Sequence, residues 1–178
     1  MRYFALLLIF CATSQAFAQH KYGVESSRLT FFSDGAIEDI RAVNTRVTSI
    51  FDAGRGDMAM LVRIKDFQFE KKLMQVHFNE KFLESEKYPK STFMGHVSGF
   101  DPQKSGVQHV TASGRLLIHG VTREVQVPGT IELKDNALYL KTKFKIKLAD
   151  YNIEIPQIVW QNIAEEVELD LNVKFSLL

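Results

Sequence analysis

The sequence predicts a mainly β protein, in which about eight antiparallel strands form a barrel with one or two short helices near residues 70–88. Apolar and polar residues alternate along most of the chain, and this period of two indicates strands with one buried face. Short turns separate these strands. A sheet with one apolar face must pack on another sheet or close on itself, and eight strands close into a barrel that holds side chains or one small ligand.

Residues 1–18 have the pattern of a secretory signal peptide. Arg2 precedes an apolar run over residues 4–10, and Ala16-Phe17-Ala18 matches an A-x-A cleavage site. The apolar run is too short to span a bilayer. We therefore expect cleavage after Ala18 and a periplasmic or secreted protein that is not an integral membrane protein. A lipoprotein signal at Cys11 is the weaker alternative, because a bulky phenylalanine precedes this cysteine.

Residues 19–178 are expected to form a single domain, because no linker, low-complexity stretch or clear repeat divides them. The chain has 22 basic and 21 acidic residues, and removal of Arg2 leaves the mature protein neutral. A neutral protein has no overall field that attracts nucleic acid. Cys11 is the only cysteine, so the mature protein lacks both disulfides and a thiol nucleophile.

The strand pattern is clearest in residues 138–148 and 167–177. The first segment places four lysines and a tyrosine on its polar face, and the second follows Glu166 and places Glu168 and Asp170 on its polar face. Opposite charges on adjacent strands contribute about 0.2–1 kcal/mol per pair, so we expect these two strands to be antiparallel neighbours. We interpret the lysine face as solvated rather than as a surface that binds phosphate or nucleic acid.

The remaining strands follow the same pattern. They are expected at residues 27–33, 40–52, 58–64, 107–118 and 124–133, with one more strand that contains Phe93. A hairpin connection is predicted at residues 119–122 and another turn at residues 134–137. Pro128 cannot donate a hydrogen bond, so it indicates a sheet edge or a bulge.

Residues 70–88 depart from the period of two and predict one or two helical turns that end before Pro89. His77 and the nearby acids Glu80, Glu84 and Glu86 resemble a metal or acid–base site. We assign them to the solvated side of this segment. The apolar residues expected to lean on the barrel are Leu73, Val76, Phe78, Phe82 and Leu83.

No motif in the chain indicates catalysis, a metal site or a cofactor. The five histidines, His20, His77, His96, His109 and His119, show no H-x-x-x-H spacing. His109 and His119 are expected to face solvent, because they alternate with inward apolar residues. The chain also lacks G-x-S-x-G, G-x-G-x-x-G and Walker A patterns. We therefore expect a protein that is not an enzyme, without excluding one that acts on a lipid head group.

The inward faces of the predicted strands are apolar and contain no group suited to catalysis. From this pattern alone, the side chains either pack against one another or surround a cavity for an apolar chain. The residues assigned to the barrel lining are Phe93, Leu116, Ile118, Val125, Val127, Leu138, Leu140, Phe144, Ile146, Leu169 and Leu171.

Three motifs resemble the YceI-like family, in the order that the family has them. They are the segment from Leu83 to Phe93, the hairpin from Leu116 to Arg123, and Asp150-Tyr151. The resemblance covers essentially the whole mature chain. It implies an exported, lipocalin-like barrel that binds a long apolar chain, typically a polyisoprenoid or a related amphiphile, and it is consistent with a homodimer. It also implies a barrel mouth near Asp150, Tyr151 and Asn152, where a polar head group would lie.

The function expected from the resemblance is binding, sequestration or transport of such an amphiphile without catalysis. The alternatives are a stress-related barrel that serves only as a scaffold and an enzyme that modifies lipids.

Overall fold

The computed structural model describes residues 20–35, 38–155 and 164–178; the expected signal peptide therefore lies outside the described residues. Antiparallel strands make up most of this part of the chain. They are β1 (Lys21–Ser33), β2 (Ile40–Asn44), β3 (Thr48–Asp52), β4 (Asp57–Arg63), β5 (Gln68–Phe69), β6 (Lys90–Ser98), β7 (Gly106–Ile118), β8 (Val121–Lys134), β9 (Ala137–Lys147) and β10 (Glu166–Leu177). Helix α1 (Lys72–His77) continues into a π-helical turn, Phe78–Phe82, and 3₁₀ turns cover Ile64–Asp66 and Leu148–Tyr151.

Eight of these strands close into a barrel. Their order around the wall is β1, β3, β4, β6, β7, β8, β9 and β10, and β10 pairs with β1 to complete the circle. Strand β2 pairs with the second half of β1, and the short β5 pairs with β2. The prediction of a mainly β, closed antiparallel barrel with a short helical segment is confirmed.

The two strands with the clearest alternation are neighbours, as the sequence predicts. Strands β9 and β10 pair antiparallel over ten residues each, from Glu166 opposite Lys147 to Phe175 opposite Leu138. On the outer face, the Lys143 ammonium lies 2.8 Å from a Glu168 carboxylate oxygen. A hydrogen bond from this ammonium to Glu168 raises the pKa of Lys143. The outer charges of these strands therefore form the expected cross-strand pairing.

Both predicted hairpin turns have the positive backbone angles of type I′ turns. His119 and Gly120 have φ values of 48° and 76°, and Asp135 and Asn136 have values of 51° and 60°. At Gly120 a side chain is also excluded by space, because a Cβ atom would lie 2.5 Å from the Tyr88 ring. The turn therefore requires glycine for two separate reasons.

The chain differs from the predicted strand pattern in two places. The expected strand at residues 40–52 is split into β2 and β3, because the Asn44 side chain bonds to the backbone of Arg46 and Arg63 instead of letting the ladder continue. Strand β1 begins six residues earlier than expected, at Lys21. A bulge between Val24 and Ser26 shifts the residues that face inward by one position. The first half of β1 therefore lacks the regular alternation that predicts a strand.

Buried side chains fill both ends of the barrel. At one end, which we call the closed end, the Phe51 ring packs against Phe100 and Phe175 with ring centroids 5.9 and 6.4 Å apart. At the other end, which we call the capped end, Phe78 from the π-helical turn packs against Phe67 at 5.4 Å and Phe69 at 4.9 Å. The space between these two aromatic clusters is the interior of the barrel.

Candidate functional site: an apolar cavity and a split in its wall

An apolar cavity of about 150 Å³ occupies the barrel interior. Inward side chains from β1, β4, β6, β7, β8, β9 and β10 line it. Ser91, Thr92 and Thr142 are the polar residues among these lining positions, and the Thr142 hydroxyl donates to the Pro128 carbonyl oxygen at 2.7 Å. The wall therefore offers almost no hydrogen-bonding partner to a polar guest, and an apolar one fits it best.

The structure brings most of the residues assigned to the lining together around this cavity. Leu138 is the exception: its side chain is buried but does not line the cavity. Its neighbour across the β9–β10 ladder is Phe175, in the aromatic cluster of the closed end. That the lining residues bind a ligand stays a prediction. Those that line the cavity are Phe93, Leu116, Ile118, Val125, Val127, Leu140, Phe144, Ile146, Leu169 and Leu171.

The predicted lining included no residue of β4 and none of the helical segment, although Phe78 and Leu83 were expected to lean on the barrel. Met58, Met60 and Val62 of β4 line the cavity. Their strand also carries alanine and leucine on its other face, so alternation did not distinguish the two faces. Phe78 and Leu83 line the cavity from the capped end. Both are apolar residues of the helical segment, and their direction depends on the π-helical turn, which sequence patterns do not reveal.

The barrel wall is split between β8 and β9. The two strands are paired only from Gly129 opposite Thr142 to Lys134 opposite Ala137, although β8 begins at Val121 and β9 continues to Lys147. We call the unpaired stretch, Val121–Pro128 of β8 and Lys143–Lys147 of β9, the β8–β9 split. Pro128 lies at the point where pairing ends, which fits the predicted interruption, because proline has no N–H group to donate to a ladder.

A groove follows the β8–β9 split on the outside of the barrel. Charged residues form much of its wall, and Val125 and Ile146 line both this groove and the cavity. The groove and the cavity therefore meet at these two apolar side chains of the split. The charged residues of the groove are Arg123, Glu124, Lys145, Lys147, Asp150 and Glu166.

Two of the three residues expected at the mouth lie in this groove. Asp150 and Tyr151 line it, whereas the exposed Asn152 ends the adjoining 3₁₀ turn with a left-handed backbone, φ 54°. Burial, and to a lesser extent the charge of Asp150, raises the pKa of the Tyr151 phenol above its ordinary value. The phenol therefore remains protonated at neutral pH. The Arg123 Nε donates to the Asp150 carbonyl oxygen at 2.9 Å and so bridges the split.

The expectation that His119 faces solvent is wrong. Its side chain is buried, and its Nε2 lies 2.8 Å from a Glu84 carboxylate oxygen while its Nδ1 lies 3.2 Å from the Tyr151 carbonyl oxygen. The Tyr88 ring packs edge-on against the imidazole, with centroids 4.4 Å apart. His119 therefore ties the capping segment to the turn at the mouth. By contrast, His109 is exposed as expected.

The assignment of the acids in residues 70–88 to a solvated side is also partly wrong. Glu84 bonds to His119 rather than to solvent alone, whereas the exposed Glu86 pairs with Lys65 on the surface. Leu73 and Val76 were expected to lean on the barrel but are exposed by 66% and 44%. The other three apolar residues of this set, Phe78, Phe82 and Leu83, do pack against the core.

Within the described ranges, no three histidine, cysteine, aspartate or glutamate side chains lie close enough together to hold a metal ion. The helices in the same ranges include none that is long and apolar enough to cross a membrane.

Solved structures of low sequence identity share this fold. A polyisoprenoid-binding domain from Saccharophagus degradans, described as implicated in plant cell wall breakdown, has a TM-score of 0.75 at 15% identity, over 88% of this chain and 98% of its own. BcnA from Burkholderia cenocepacia has a TM-score of 0.71 at 17% identity, over 83% and 95%. The YceI protein of Campylobacter jejuni has a TM-score of 0.55 at 16% identity, over 72% and 80%. These likenesses show the fold.

A search of curated proteins finds no match. A family model described as YceI-like domain matches residues 17–175, which is nearly the whole chain. The chain therefore belongs to the family of YceI-like domains.

Proposed function

We propose that this protein is exported and binds the tail of a polyisoprenoid or a similar long-chain amphiphile inside its barrel, without catalysis. Family membership supports a binding role, and the observation that carries the proposal is the almost wholly apolar cavity. Shielding a water-insoluble tail allows the protein to store or carry such a molecule through an aqueous compartment. A homodimer is a further part of the proposal, and nucleic acid is not an expected partner.

The size of the hydrophobic effect makes tail binding favourable. Each buried methylene contributes about 0.8 kcal/mol, so a five-carbon unit contributes roughly 4 kcal/mol. Association costs on the order of 4–15 kcal/mol, so roughly one to four buried units offset this cost, and further buried units make the binding tight. An apolar cavity of about 150 Å³ accommodates a molecule the size of benzene. A longer tail therefore requires the flexible Met58 and Met60 side chains to move, or a path that extends beyond the cavity.

A charged residue at Phe144 tests the proposal. We expect Phe144→Asp to abolish binding of geranylgeraniol, because a carboxylate in an apolar cavity cannot be compensated there. The control is Lys141→Asp, which places the same charge on the outer face of the same strand. Native mass spectrometry measures binding and circular dichroism measures folding. A folded Phe144→Asp variant that binds as the wild type does would contradict the proposal.

A second variant covers the outcome in which Phe144→Asp does not fold. Ala112 lines the cavity, and Ala112→Leu fills part of it while keeping the wall apolar. We expect this variant to remain folded and to lose affinity for the same alcohol. If it remains folded and binds as tightly as the wild type, the tail does not occupy the cavity and the proposal is contradicted; if neither protein binds the alcohol, the barrel is better explained as a scaffold. An enzyme that acts on lipids would instead convert the bound molecule, which the same mass measurement detects.

A further inference from the structure

Neither end of the barrel offers a path to the cavity for a lipid tail. At the closed end, Phe51 and Phe175 are almost fully buried. At the capped end, Phe78 and Leu83 are buried between the helical segment and the strands. A tail that entered at either end would have to displace these side chains and leave a void where they now pack, which costs several kcal/mol for each large residue.

The β8–β9 split is the weaker part of the wall. Strands β1 and β3 also pair over only three residues, but there β2 pairs with the second half of β1. At the split, no ladder pair joins Val121–Pro128 to Lys143–Lys147. Separating the strands here breaks no ladder hydrogen bond within the described residues. The edges of the split carry inward apolar side chains, Val125 and Val127 on β8 and Phe144 and Ile146 on β9, all of which line the cavity. A tail that passes between the strands therefore remains in apolar contact.

Arg123 lies at the outer mouth of this split, where its exposed side chain lines the groove rather than the cavity. It shares the parity of Val125 and Val127 and is the only charged residue among the inward positions of β8. Its Nε is bonded to the Asp150 carbonyl oxygen. Among the described residues, its two terminal amino groups have no hydrogen-bond or ion-pair partner. A planar guanidinium with two such donors suits a phosphate or carboxylate oxygen pair.

The other charged groups of the groove lie on its outer side. Lys145, Lys147 and Glu166 have outward parity on β9 and β10, and Lys147 and Glu166 lie 3.9 Å apart as an ion pair. Glu124 faces outward on β8, and the exposed Asp150 follows β9. Of these five rim residues two are basic and three are acidic, so the groove is neutral once Arg123 is counted. Arg123 is the cation of the groove that has inward parity, and its two terminal amino groups favour an anion at that point.

We propose that the amphiphile enters and leaves sideways through the β8–β9 split, and that Arg123 binds an anionic head group held at its lip. This inference rests on the proposed function. It also accounts for a tail longer than the cavity accommodates, because the part nearest the head group would lie between Val125 and Ile146 within the split.

Two ligands with the same tail test the role of Arg123: geranylgeranyl phosphate and geranylgeraniol. We expect Arg123→Gln to weaken binding of the phosphate about tenfold or more, since hydrogen bonds to charged groups are the strong ones, and to leave binding of the alcohol unchanged. The control, Lys145→Gln, removes a rim charge and is expected to have an effect of threefold or less on either ligand.

Each outcome of this comparison is informative. Equal losses for both ligands, or no loss for the phosphate, would overturn the assignment of Arg123. Displacement of the lipid phosphate by millimolar inorganic phosphate would also overturn it, because the site would then serve a free anion. If the wild type binds neither ligand, the proposed function fails instead, so the two failures are distinguishable.

A covalent cross-link between β8 and β9 tests whether the ligand passes through the split. Gln126 and Lys145 face outward across the split, and a cysteine at each position can be joined by a short bis-maleimide. The control pair, Thr130 and Lys141, lies opposite within the paired part of the same two strands. We expect the cross-link at the split to slow release of preloaded geranylgeranyl phosphate at least tenfold and the control cross-link to leave it unchanged. Unaltered release from a protein with a complete cross-link at the split would overturn this route.

Discussion

At the scale of single residues, His119 has the most demanding environment. Both of its ring nitrogens face oxygen acceptors, the Glu84 carboxylate and the Tyr151 carbonyl. The imidazole therefore joins the capping segment to the turn at the mouth through both of its nitrogens.

Replacing His119 should destabilise the barrel. We expect His119→Ala to lower the free energy of unfolding by about 1–3 kcal/mol, because the Tyr151 carbonyl and the partly exposed Glu84 carboxylate both lose their contact with the buried ring. The matched control is His109→Ala at an exposed position, which should change stability by less than about 0.5 kcal/mol. Urea unfolding followed by circular dichroism measures both. Equal effects of the two substitutions would show that the buried contacts of His119 contribute nothing.

The position of His119 illustrates what alternation cannot predict. Parity along β7 correctly placed Leu116 and Ile118 inside and His109 outside. It fails one residue later, because His119 belongs to the turn and its left-handed backbone turns the side chain away from the strand's outer face. Its partner Glu84 is 35 residues distant in sequence. A contact of this kind depends on how separate segments meet, and no local pattern indicates it.

At the scale of elements, the π-helical turn caps the barrel with a buried side chain, whereas α1 has none. Phe78 is buried and contacts three other aromatic rings, whereas Leu73 on α1 is mostly exposed. We expect Phe78→Ala to cost about 3–5 kcal/mol through the cavity that it leaves. Leu73→Ala should cost less than about 0.5 kcal/mol. Thermal and urea unfolding check both values, and a large effect of Leu73→Ala would show that α1 packs more closely than its exposure indicates.

Length explains which elements the sequence predicted well. Strands β9 and β10 have 11 and 12 residues, so their alternation is sustained long enough to fix both faces and their mutual register. Helix α1 has six residues, which is under two turns. The π-helical turn that follows changes the spacing again. For a segment this short, the apolar pattern predicts that some residues pack inward but not which ones.

At the scale of the whole molecule, the barrel combines two kinds of wall. Most of it is closed by continuous ladders, which the apolar alternation of the strands predicts. The β8–β9 split was indicated in the sequence only by Pro128, which predicts an interruption but not its length. The sequence also did not decide whether the interior holds a cavity or is filled by side chains, because both arrangements require inward apolar residues. It depends on the space that side chains leave between the two aromatic clusters.

Native mass spectrometry of the protein purified from its own host tests whether the barrel holds a lipid tail. We expect a complex whose mass exceeds that of the mature chain by one amphiphile with a long apolar tail, and whose ligand is released when the barrel unfolds. Repeated recovery of protein without a bound lipid, together with a crystal structure in which side chains fill the interior, would contradict it.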